Sequence, residues 1–474
     1  MKHLMLSLLF TISSLSLLAW KPMPLPFDSL DIGVDTITVK GEWSSTVASG
    51  DYAPFWFTAT SYGVESYQPL STYLRASLYK NDTRPNRWWD YSYGADVMGG
   101  VDSDEWRAQL VALYAHVRLL IFDVTVGVKP EIYGNQDAEL SSGGMLYSMN
   151  AAAIPRVSVG VDNYTSVPFS YGYLEFKGAV THGWFMNEIG TQNTLLHYKY
   201  IAGRAGGKLP INISYEFHHA AQWGGTSALY GDLGASFSDF YNVFTASSGG
   251  SLSTDQINAY GNHIGMQALG LDAKGDGWKV SAYWQSIFED GPIRPIWNTM
   301  NVSDGLWGLL AHQSHWKFIS GLVYEFISTT DQSGPTHDID GLVFGGNDSY
   351  FRNSVYPQGW NVAYRTIGTP FITSPYYSSA LSTTNNRVFA HHLALTGDIY
   401  GYKYLARVSY ADNYGTYSNY LYSSNLGLFL SVERRVEQAW NLDFKVAIGA
   451  DFGSQFGNSV GAMVSVSKSL DIVQ

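Results

Sequence analysis

The stretch INISYEFH, residues 211–218, alternates strictly between apolar and polar side chains. Successive side chains of a β-strand point to opposite faces, so this stretch predicts a strand with one apolar and one polar face. The same alternation runs through residues 122–129, 278–285 and 442–452. The sequence therefore predicts an all-β protein whose strands separate an apolar environment from a wet one.

Aromatic residues and paired charges favour a membrane barrel over a water-soluble sandwich. Ring-bearing residues lie near the ends of the apolar faces, as in the aromatic girdles of membrane barrels. They are Trp278, Trp284, Tyr402, Tyr404 and Tyr410. The polar faces carry opposite charges close together, Glu175 with Lys177 and Asp443 with Lys445. Such pairs suit a hydrated lumen, whereas burial in a sandwich core would cost several kcal/mol for each charge.

Eighteen segments carry the strand pattern, and because some could be split or merged the predicted range is about 16–18 strands. They lie near residues 36–45, 68–80, 90–100, 104–117, 121–131, 156–162, 169–181, 194–203, 210–219, 263–273, 277–288, 305–311, 315–328, 388–398, 401–411, 420–433, 440–452 and 459–469. In lipid every backbone polar group must be satisfied, which strands achieve only by closing a barrel. The prediction is a transmembrane antiparallel β-barrel of about 18 strands.

The composition excludes several other classes of protein. Charged residues are 14% of the 474-residue chain, against about 25% in typical soluble domains. Beyond the N-terminal leader no clean run of about 20 apolar residues occurs, which excludes a helical membrane protein. The chain has no cysteine, which excludes disulfide scaffolds and cysteine-ligated zinc or iron–sulfur sites. A net charge of −12 makes nucleic acid a poor partner.

The first residues resemble an export signal. A basic start at Met1-Lys2-His3 is followed by an apolar run over 4–18 and by the small residue Ala19. This order is typical of a secretory signal peptide, with a buried N-terminal helix as the alternative. We therefore expect a signal peptide at residues 1–19 and a single barrel domain at residues 20–474. The expected location is the outer membrane of a bacterial cell.

Three predicted connections, near residues 131–155, 220–262 and 329–387, are too long for tight turns, and such loops are often functional. The second contains apolar residues at helical spacing over 236–244, and Ser236 with Asp239 forms a capping-box start. This short helix could pack a loop onto the interior of the barrel or plug the lumen. We favour the plug, because a barrel this wide would otherwise leave an open channel. The prediction is a lumen plugged by loops and a short helix.

Several blocks of sequence resemble the capsule assembly Wzi family of bacterial outer-membrane proteins, in the order of its Bacteroidetes-type branch. The blocks are LSSGGMLYSMNAAAIPRVSVGV at 140–161, HAAQWGGTS at 219–227 followed by DQINAYGNHIG at 255–265, and YWQSIFEDG at 283–291 continuing to DGLWGLL at 304–310. The resemblance implies an outer-membrane barrel with a plugged lumen. It implies a non-enzymatic surface lectin that binds capsular polysaccharide and helps to attach or assemble the capsule.

The resemblance also directs the search for polysaccharide-binding residues. Sugars are bound by flat aromatic faces and by planar polar groups. The candidates in and near these blocks are Asn150, Arg156, Gln222, Trp223, Gln285, Glu289, Asp290 and Trp297. The expected partners are capsular or other surface polysaccharide and outer-membrane lipid, and the polysaccharide-export machinery is a further candidate partner.

Most of these candidates also have a purely structural interpretation. Asn150 and Arg156 could fix a turn and a lumenal ion pair. The sequence Glu289-Asp290-Gly291 could be a plain turn. Trp223 could be a buried anchor for the loop that follows it.

Catalytic and metal-binding motifs are weak in this sequence. The pairs His218-His219 and His391-His392 are adjacent on predicted strands, so their side chains point to opposite faces and cannot hold one ion. Adjacency also weakens Glu289 and Asp290 as a glycosidase pair. HExxH, phosphate-loop and dinucleotide-binding patterns do not occur. We predict no catalytic residue, no cofactor and no metal site. The alternatives are an oligosaccharide diffusion or uptake porin and a barrel enzyme acting on lipid or glycan.

Overall fold

The computed structural model describes residues 36–81, 88–186, 190–247, 260–289, 303–334, 338–339, 342–343, 347–378, 380 and 382–473. The proposed signal peptide at 1–19 lies outside the described residues, as do the site candidates Asp290 and Trp297. What the structure describes is dominated by strands that form one large antiparallel sheet.

Eighteen antiparallel strands close into a barrel, which confirms the predicted fold class and strand number. The strands are β1 Thr36–Ala48, β2 Leu70–Lys80, β3 Trp89–Asp102, β4 Trp106–Leu119, β5 Phe122–Val128, β6 Arg156–Ser166, β7 Leu174–Trp184, β8 Leu195–Ala205, β9 Ile211–Trp223, β10 Asn262–Gly275, β11 Trp278–Glu289, β12 Gly305–Gln313, β13 Gly321–Ser328, β14 Val388–Ile399, β15 Tyr402–Gly415, β16 Tyr420–Val436, β17 Leu442–Gly453 and β18 Ser459–Val473. Each pairs with its neighbours in the chain. The first and last strands close the barrel, from Thr36 opposite Val473 to Ala48 opposite Gly461.

The remaining elements are short and lie in the connections. The helices are α1 Phe55–Thr58 and α2 Phe237–Thr245, with 3₁₀ turns at Pro375–Tyr377 and Glu437–Ala439. Two-residue strands form at Thr191–Gln192, Thr226–Ser227, Gly231–Asp232, Asp338–Ile339, Leu342–Val343, Asn361–Val362 and Arg365–Thr366. Among the described residues, none of the helices has the length and apolar character of a membrane span.

The two ends of the barrel differ in the length of their connections. At the end where β1 begins and β18 finishes, here called the turn end, the longest connection has eight residues, 81–88. At the opposite end, here called the loop end, the connections include 49–69, 129–155, 224–261 and 329–387. In bacterial barrels the short turns face the periplasm and the long loops face outward. The loop end is therefore the extracellular end.

Alternate residues on every strand separate an apolar outer face from a polar lumen. On β17 the outward side chains Val446 and Ile448 are exposed, while Asp443 and Asp451 point inward and are buried. Large aliphatic side chains remain exposed around the barrel because lipid, not water, covers them. The predicted lumenal charges also point inward, with Glu175 bonded to Arg204 and Lys177 to Glu216. The protein is an outer-membrane β-barrel.

The lumen is filled by the connections 49–69 and 129–155 and by the described residues of 347–387 (347–378, 380 and 382–387), together called the plug. Large side chains from all three form one buried cluster with the inner wall; they include Phe55, Trp56, Leu140, Met145, Tyr350, Phe351 and Trp360. The predicted filling by loops and a short helix is confirmed. The helix, however, is α1, in a connection that the sequence pattern did not single out. Its Trp56 donates to Ser409 Oγ on the inner wall at 2.9 Å.

Helix α2 forms where the sequence predicts it, but it lies on the outside of the barrel. The capping box is present, with Ser236 N donating to Asp239 Oδ2 at 2.8 Å. The helix packs Val243 against Ala221 and Trp223, which lie on the outward face of β9 with the exposed Ile213. The interpretation of this helix as the plug was therefore wrong. Amphipathic spacing shows that a helix has an apolar face, but not which side of a wall that face covers.

The outer face of α2 is itself apolar, and we expect it to contact lipid. Phe237 is 83% exposed and Tyr241 is 60% exposed, as in helices that lie in a membrane interface. Since the chain has no cysteine, a nitroxide can be attached at Phe237→Cys or Tyr241→Cys alone. We expect its electron paramagnetic resonance signal in bilayers to be relaxed more by oxygen than by a water-soluble nickel chelate.

Two control labels calibrate this measurement. Val446→Cys reports the lipid-facing belt, and Ser418→Cys reports an exposed connection at the loop end. A label on α2 that behaves like the one at Ser418 would place the helix in water and contradict the expectation.

Candidate functional site

An open cleft lies at the loop end, where β7, β8 and β9 leave the barrel. Its volume is about 390 Å³, within the range of roughly 300–1,000 Å³ that small-molecule sites occupy. Its lining includes Trp184, Asn193, Thr194, Gly225, Thr226 and Asp232. The cleft is therefore on the extracellular side, outside the filled lumen.

A small three-stranded sheet gives the cleft its shape. Thr226–Ser227 pairs with Thr191–Gln192 on one side and with Gly231–Asp232 on the other. Gly225 stands at the entry to this sheet with φ of +86°, and a Cβ there would lie 2.5 Å from the backbone oxygen of Gln192. This position therefore requires glycine.

The plug supports the cleft from below. Thr191 Oγ1 donates to the backbone oxygen of Val355 at 2.9 Å, and Tyr356 donates to the backbone oxygen of Gly224 at 3.3 Å. Val355 and Tyr356 are both buried against Leu233. Because these contacts come from the plug, the cleft depends on how the plug is held in the lumen.

The exposed groups of the cleft are those that sugars need. The indole of Trp184 is 44% exposed and stands edge-on to the ring of His182, 4.9 Å between centroids. Asn193, Thr226 and Asp232 are exposed around it. Asp232 Oδ1 accepts from the backbone nitrogen of Gly234 at 3.0 Å, which fixes the direction of the carboxylate. An aromatic face with an amide, a hydroxyl and a carboxylate can stack on a sugar ring and bond its hydroxyls.

Three of the predicted site residues, Gln222, Gln285 and Glu289, hold the plug from the inner wall. Each is buried, and each bonds a backbone group of the plug. The bonds are Gln222 Nε2 to Gly359 O at 3.0 Å, Met145 N to Gln285 Oε1 at 2.9 Å, and Phe351 N to Glu289 Oε1 at 2.5 Å. All three residues therefore hold the plug against the barrel wall. None of them lines the cleft.

Asn150 and Arg156 are also buried inside the barrel. Asn150 Nδ2 donates to Thr366 O at 2.9 Å and so joins two segments of the plug. Arg156 forms an ion pair with Glu131 and donates to Lys129 O at 2.9 Å. Burial raises the pKa of Glu131, but the charges of Arg156 and Lys129 outweigh it and lower that pKa to about 2. The carboxylate therefore stays ionised as the partner of Arg156.

Trp223 points outward and is covered by α2. It is buried, and its ring lies 5.9 Å from that of Phe240. Its chain neighbours Gly225 and Thr226 line the cleft, so the block HAAQWGGTS reaches the site through its last residues. Two lining residues of the cleft, Trp184 and Asn193, are not among the candidates that the sequence gives. Trp184 ends an alternating strand, where it cannot be distinguished from a girdle aromatic, and Asn193 stands alone in a short connection.

The adjacent histidine pairs point to opposite faces, as predicted. His218 faces the lumen, with Nδ1 2.7 Å from the Tyr198 hydroxyl, whereas His219 faces outward, with Nε2 2.8 Å from His263 Nδ1.

Residues 457–461 match the hydrolase pattern GxSxG in sequence. They lie where one strand connects to the next, whereas the hydrolase pattern lies between a strand and a helix. The Ser459 hydroxyl donates to the backbone oxygen of Tyr52 at 2.7 Å.

Comparison with known proteins finds similarity in fold. One solved structure is that of Wzi from Escherichia coli, an outer membrane protein involved in group 1 capsule assembly and described as a carbohydrate-binding β-barrel. It is 12% identical, with a TM-score of 0.58 over 91% of this chain and 85% of Wzi. OccK5 (OpdH) of Pseudomonas aeruginosa is 11% identical, with a TM-score of 0.47 over 93% and 98%. OccAB4 of Acinetobacter baumannii is 10% identical, with a TM-score of 0.47 over 93% and 99%. No family model and no curated protein matches the chain.

Proposed function

We propose that this protein is a non-catalytic barrel of the bacterial outer membrane that binds capsular polysaccharide and helps to hold or assemble the capsule at the cell surface. The observation that carries the proposal is the extracellular cleft, where Trp184 is exposed beside Asn193, Thr226 and Asp232. The described function of Wzi, which has the same barrel fold, supports it. The polysaccharide-export machinery is a candidate partner under this proposal.

The interior residues that the sequence singled out have an indirect role in this proposal. Gln222 and Glu289 bond the plug at Gly359 and Phe351, on either side of the segment that supports the cleft through Val355. We propose that they position the cleft instead of contacting the polysaccharide themselves.

The alternative role of oligosaccharide porin is disfavoured by the packing of the lumen. Barrels of 16–18 strands leave an aqueous channel unless something fills it. In the described residues, side chains such as Trp360 and Phe351 are 1% exposed or less at the centre of the plug. A role in catalysis is disfavoured by the cleft itself. Among its described lining residues Asp232 is the single carboxylate, while glycosidases use two.

Replacing Trp184 should weaken the binding of purified capsular polysaccharide. Stacking on an aromatic ring contributes about 0.5–1.5 kcal/mol beyond area burial, so we expect Trp184→Ala to lower the affinity about two- to twelvefold. Asp232→Asn should lower it less, because the amide keeps the shape of the carboxylate. Biolayer interferometry on detergent-solubilised protein measures both.

The matched control for this experiment is Trp106→Ala. Trp106 is also an exposed tryptophan near the loop end, at the start of β4. Its loss should leave binding unchanged, and heat-modifiable migration in gels should show that all variants fold. Equal binding by wild type and Trp184→Ala would remove the cleft from the proposal. In cells, deletion of the protein should release capsule into the medium with total synthesis unchanged; capsule that stays cell-associated would contradict the proposed role.

A further inference from the structure

The seam between β5 and β6 is the shortest ladder of the barrel. These two strands pair over five positions, from Asp123 opposite Gly160 to Gly127 opposite Arg156, fewer than any other neighbouring pair of barrel strands in the described chain. On its far side β6 carries an irregularity between Val161 and Thr165. Few backbone hydrogen bonds therefore hold the wall at this point.

Three side chains on adjacent strands meet on the lumenal side of this seam. They are His116 of β4, Asp123 of β5 and Asp162 of β6. His116 Nε2 lies 3.0 Å from Asp123 Oδ1 and 3.9 Å from Asp162 Oδ2. One ligand atom from each residue lies within 4.8 Å of the other two.

The neighbours of this cluster hold two of its side chains in place. Ser92 Oγ lies 3.1 Å from His116 Nδ1, where the hydroxyl can accept the Nδ1 proton in the tautomer whose Nε2 binds a metal ion. The backbone nitrogen of Asp162 donates to Asp123 Oδ2 at 2.9 Å, so that Oδ1 faces the imidazole. His116 and Asp123 are buried, whereas the side chain of Asp162 is 33% exposed to the lumen. An ion could therefore enter, and water could complete its coordination.

Two carboxylates, those of Asp123 and Asp162, face one imidazole in this cluster. Lys129, a cation that acts on Asp162 through space, is paired with Glu131 at 3.1 Å. A divalent cation would neutralise the two carboxylates and allow the imidazole to bind as the neutral ligand.

We propose that His116, Asp123 and Asp162 bind a first-row divalent cation, with Zn²⁺ as the probe, and that the ion joins β4, β5 and β6 across the short seam. Zinc binds imidazole nitrogen and carboxylate oxygen at about 2.0–2.2 Å. Two ligand atoms at that distance from one zinc ion lie about 3–4 Å from each other. The distances from His116 Nε2 to Asp123 Oδ1 and to Asp162 Oδ2, 3.0 Å and 3.9 Å, lie in this range. The imidazole favours zinc over calcium or magnesium, which prefer all-oxygen sites. This inference does not depend on the proposed function.

The test uses the full barrel in detergent after removal of metal with EDTA. We expect isothermal titration to show one Zn²⁺ per chain and no comparable binding of Ca²⁺. The temperature at which the barrel unfolds, measured by heat-modifiable migration in gels, should rise when Zn²⁺ is added. It should fall back to the metal-free value when EDTA is added. Asp162→Asn, at the partly exposed position, should weaken Zn²⁺ binding at least about tenfold and remove the thermal shift. Asp162→His, which restores a ligand atom, should recover both.

The matched control is His312→Asn. His312 also faces a carboxylate, with Nε2 2.9 Å from Asp137 Oδ2, but in the described residues it does not belong to a group of three metal-ligating side chains. Its replacement should leave the titration unchanged. The proposal fails if wild type shows no zinc-dependent shift, if Asp162→Asn binds as wild type does, or if His312→Asn loses the binding instead.

Discussion

Trp360→Ala is expected to loosen the plug and to open a conducting path through the lumen. Trp360 is 1% exposed, and its Nε1 donates to Leu146 O at 2.8 Å. Its ring also packs against Tyr147 and Phe185, at 5.6 Å and 6.1 Å between centroids. Leu146 and Trp360 belong to different connections, so this one indole joins two segments of the plug. Truncating a buried tryptophan costs about 3–5 kcal/mol.

Planar-bilayer recording measures this change directly. Wild type should give a baseline close to that of the bare bilayer, and Trp360→Ala should give channel openings or a steady current. The control is Trp106→Ala, which removes an exposed indole and should stay silent. If Trp360→Ala unfolds more readily in urea but remains silent, the indole stabilises the plug without being needed to keep the lumen closed.

The strands could be predicted because lipid and water act on opposite faces of each one. In 211–218 the outward residues must be apolar and the inward ones polar, so the two-residue period survives in the sequence. All eighteen predicted segments correspond to strands. The predicted strand ends are less accurate where the chain leaves a strand and enters the plug. The segment 121–131 was predicted as a strand, but β5 ends at Val128, and Glu131 instead pairs with Arg156 inside the barrel.

The site could not be predicted in the same way, because alternation gives the face of a residue but not its partner. Gln285 belongs to the polar side of the alternating segment 278–285. A glutamine there could bond water, sugar or the plug, and only the fold shows that it accepts from Met145 N. Similarly, Gln222 and Trp223 are adjacent in the sequence, but they have different partners. Gln222 bonds the plug, whereas Trp223 packs against α2. The cleft is formed by connections between strands, whose sequences show no regular alternation of apolar and polar residues.

Glu65 is expected to make the barrel less stable as the pH rises. This residue belongs to the plug and is buried at 8% exposure. Its carboxyl accepts from the Tyr73 hydroxyl at 2.8 Å, but the same hydroxyl also lies 2.9 Å from Glu42. One hydroxyl proton cannot serve both carboxylates fully. A proton on Glu65 resolves this conflict.

Burial raises the pKa of Glu65 from 4.5 to about 7, and the charge of Glu42 raises it further, against the opposing effects of the Tyr73 hydrogen bond, Lys445 and Arg107. Because the folded pKa lies above the unfolded one, the protonated carboxyl stabilises the fold. That contribution is complete below pH 4.5 and is lost as the pH rises through 7. A shift of this size corresponds to about 3 kcal/mol.

Glu65→Gln should remove this dependence, because the amide has the shape of the protonated acid and stays neutral at every pH. Other groups titrate in both proteins, so the difference between their free energies of unfolding isolates Glu65. We expect wild type to lose about 3 kcal/mol relative to Glu65→Gln between pH 4.5 and pH 8, measured by urea unfolding in detergent. Parallel curves over that range would mean that Glu65 is ionised in the folded barrel, and that Lys445 and Arg107 offset its burial.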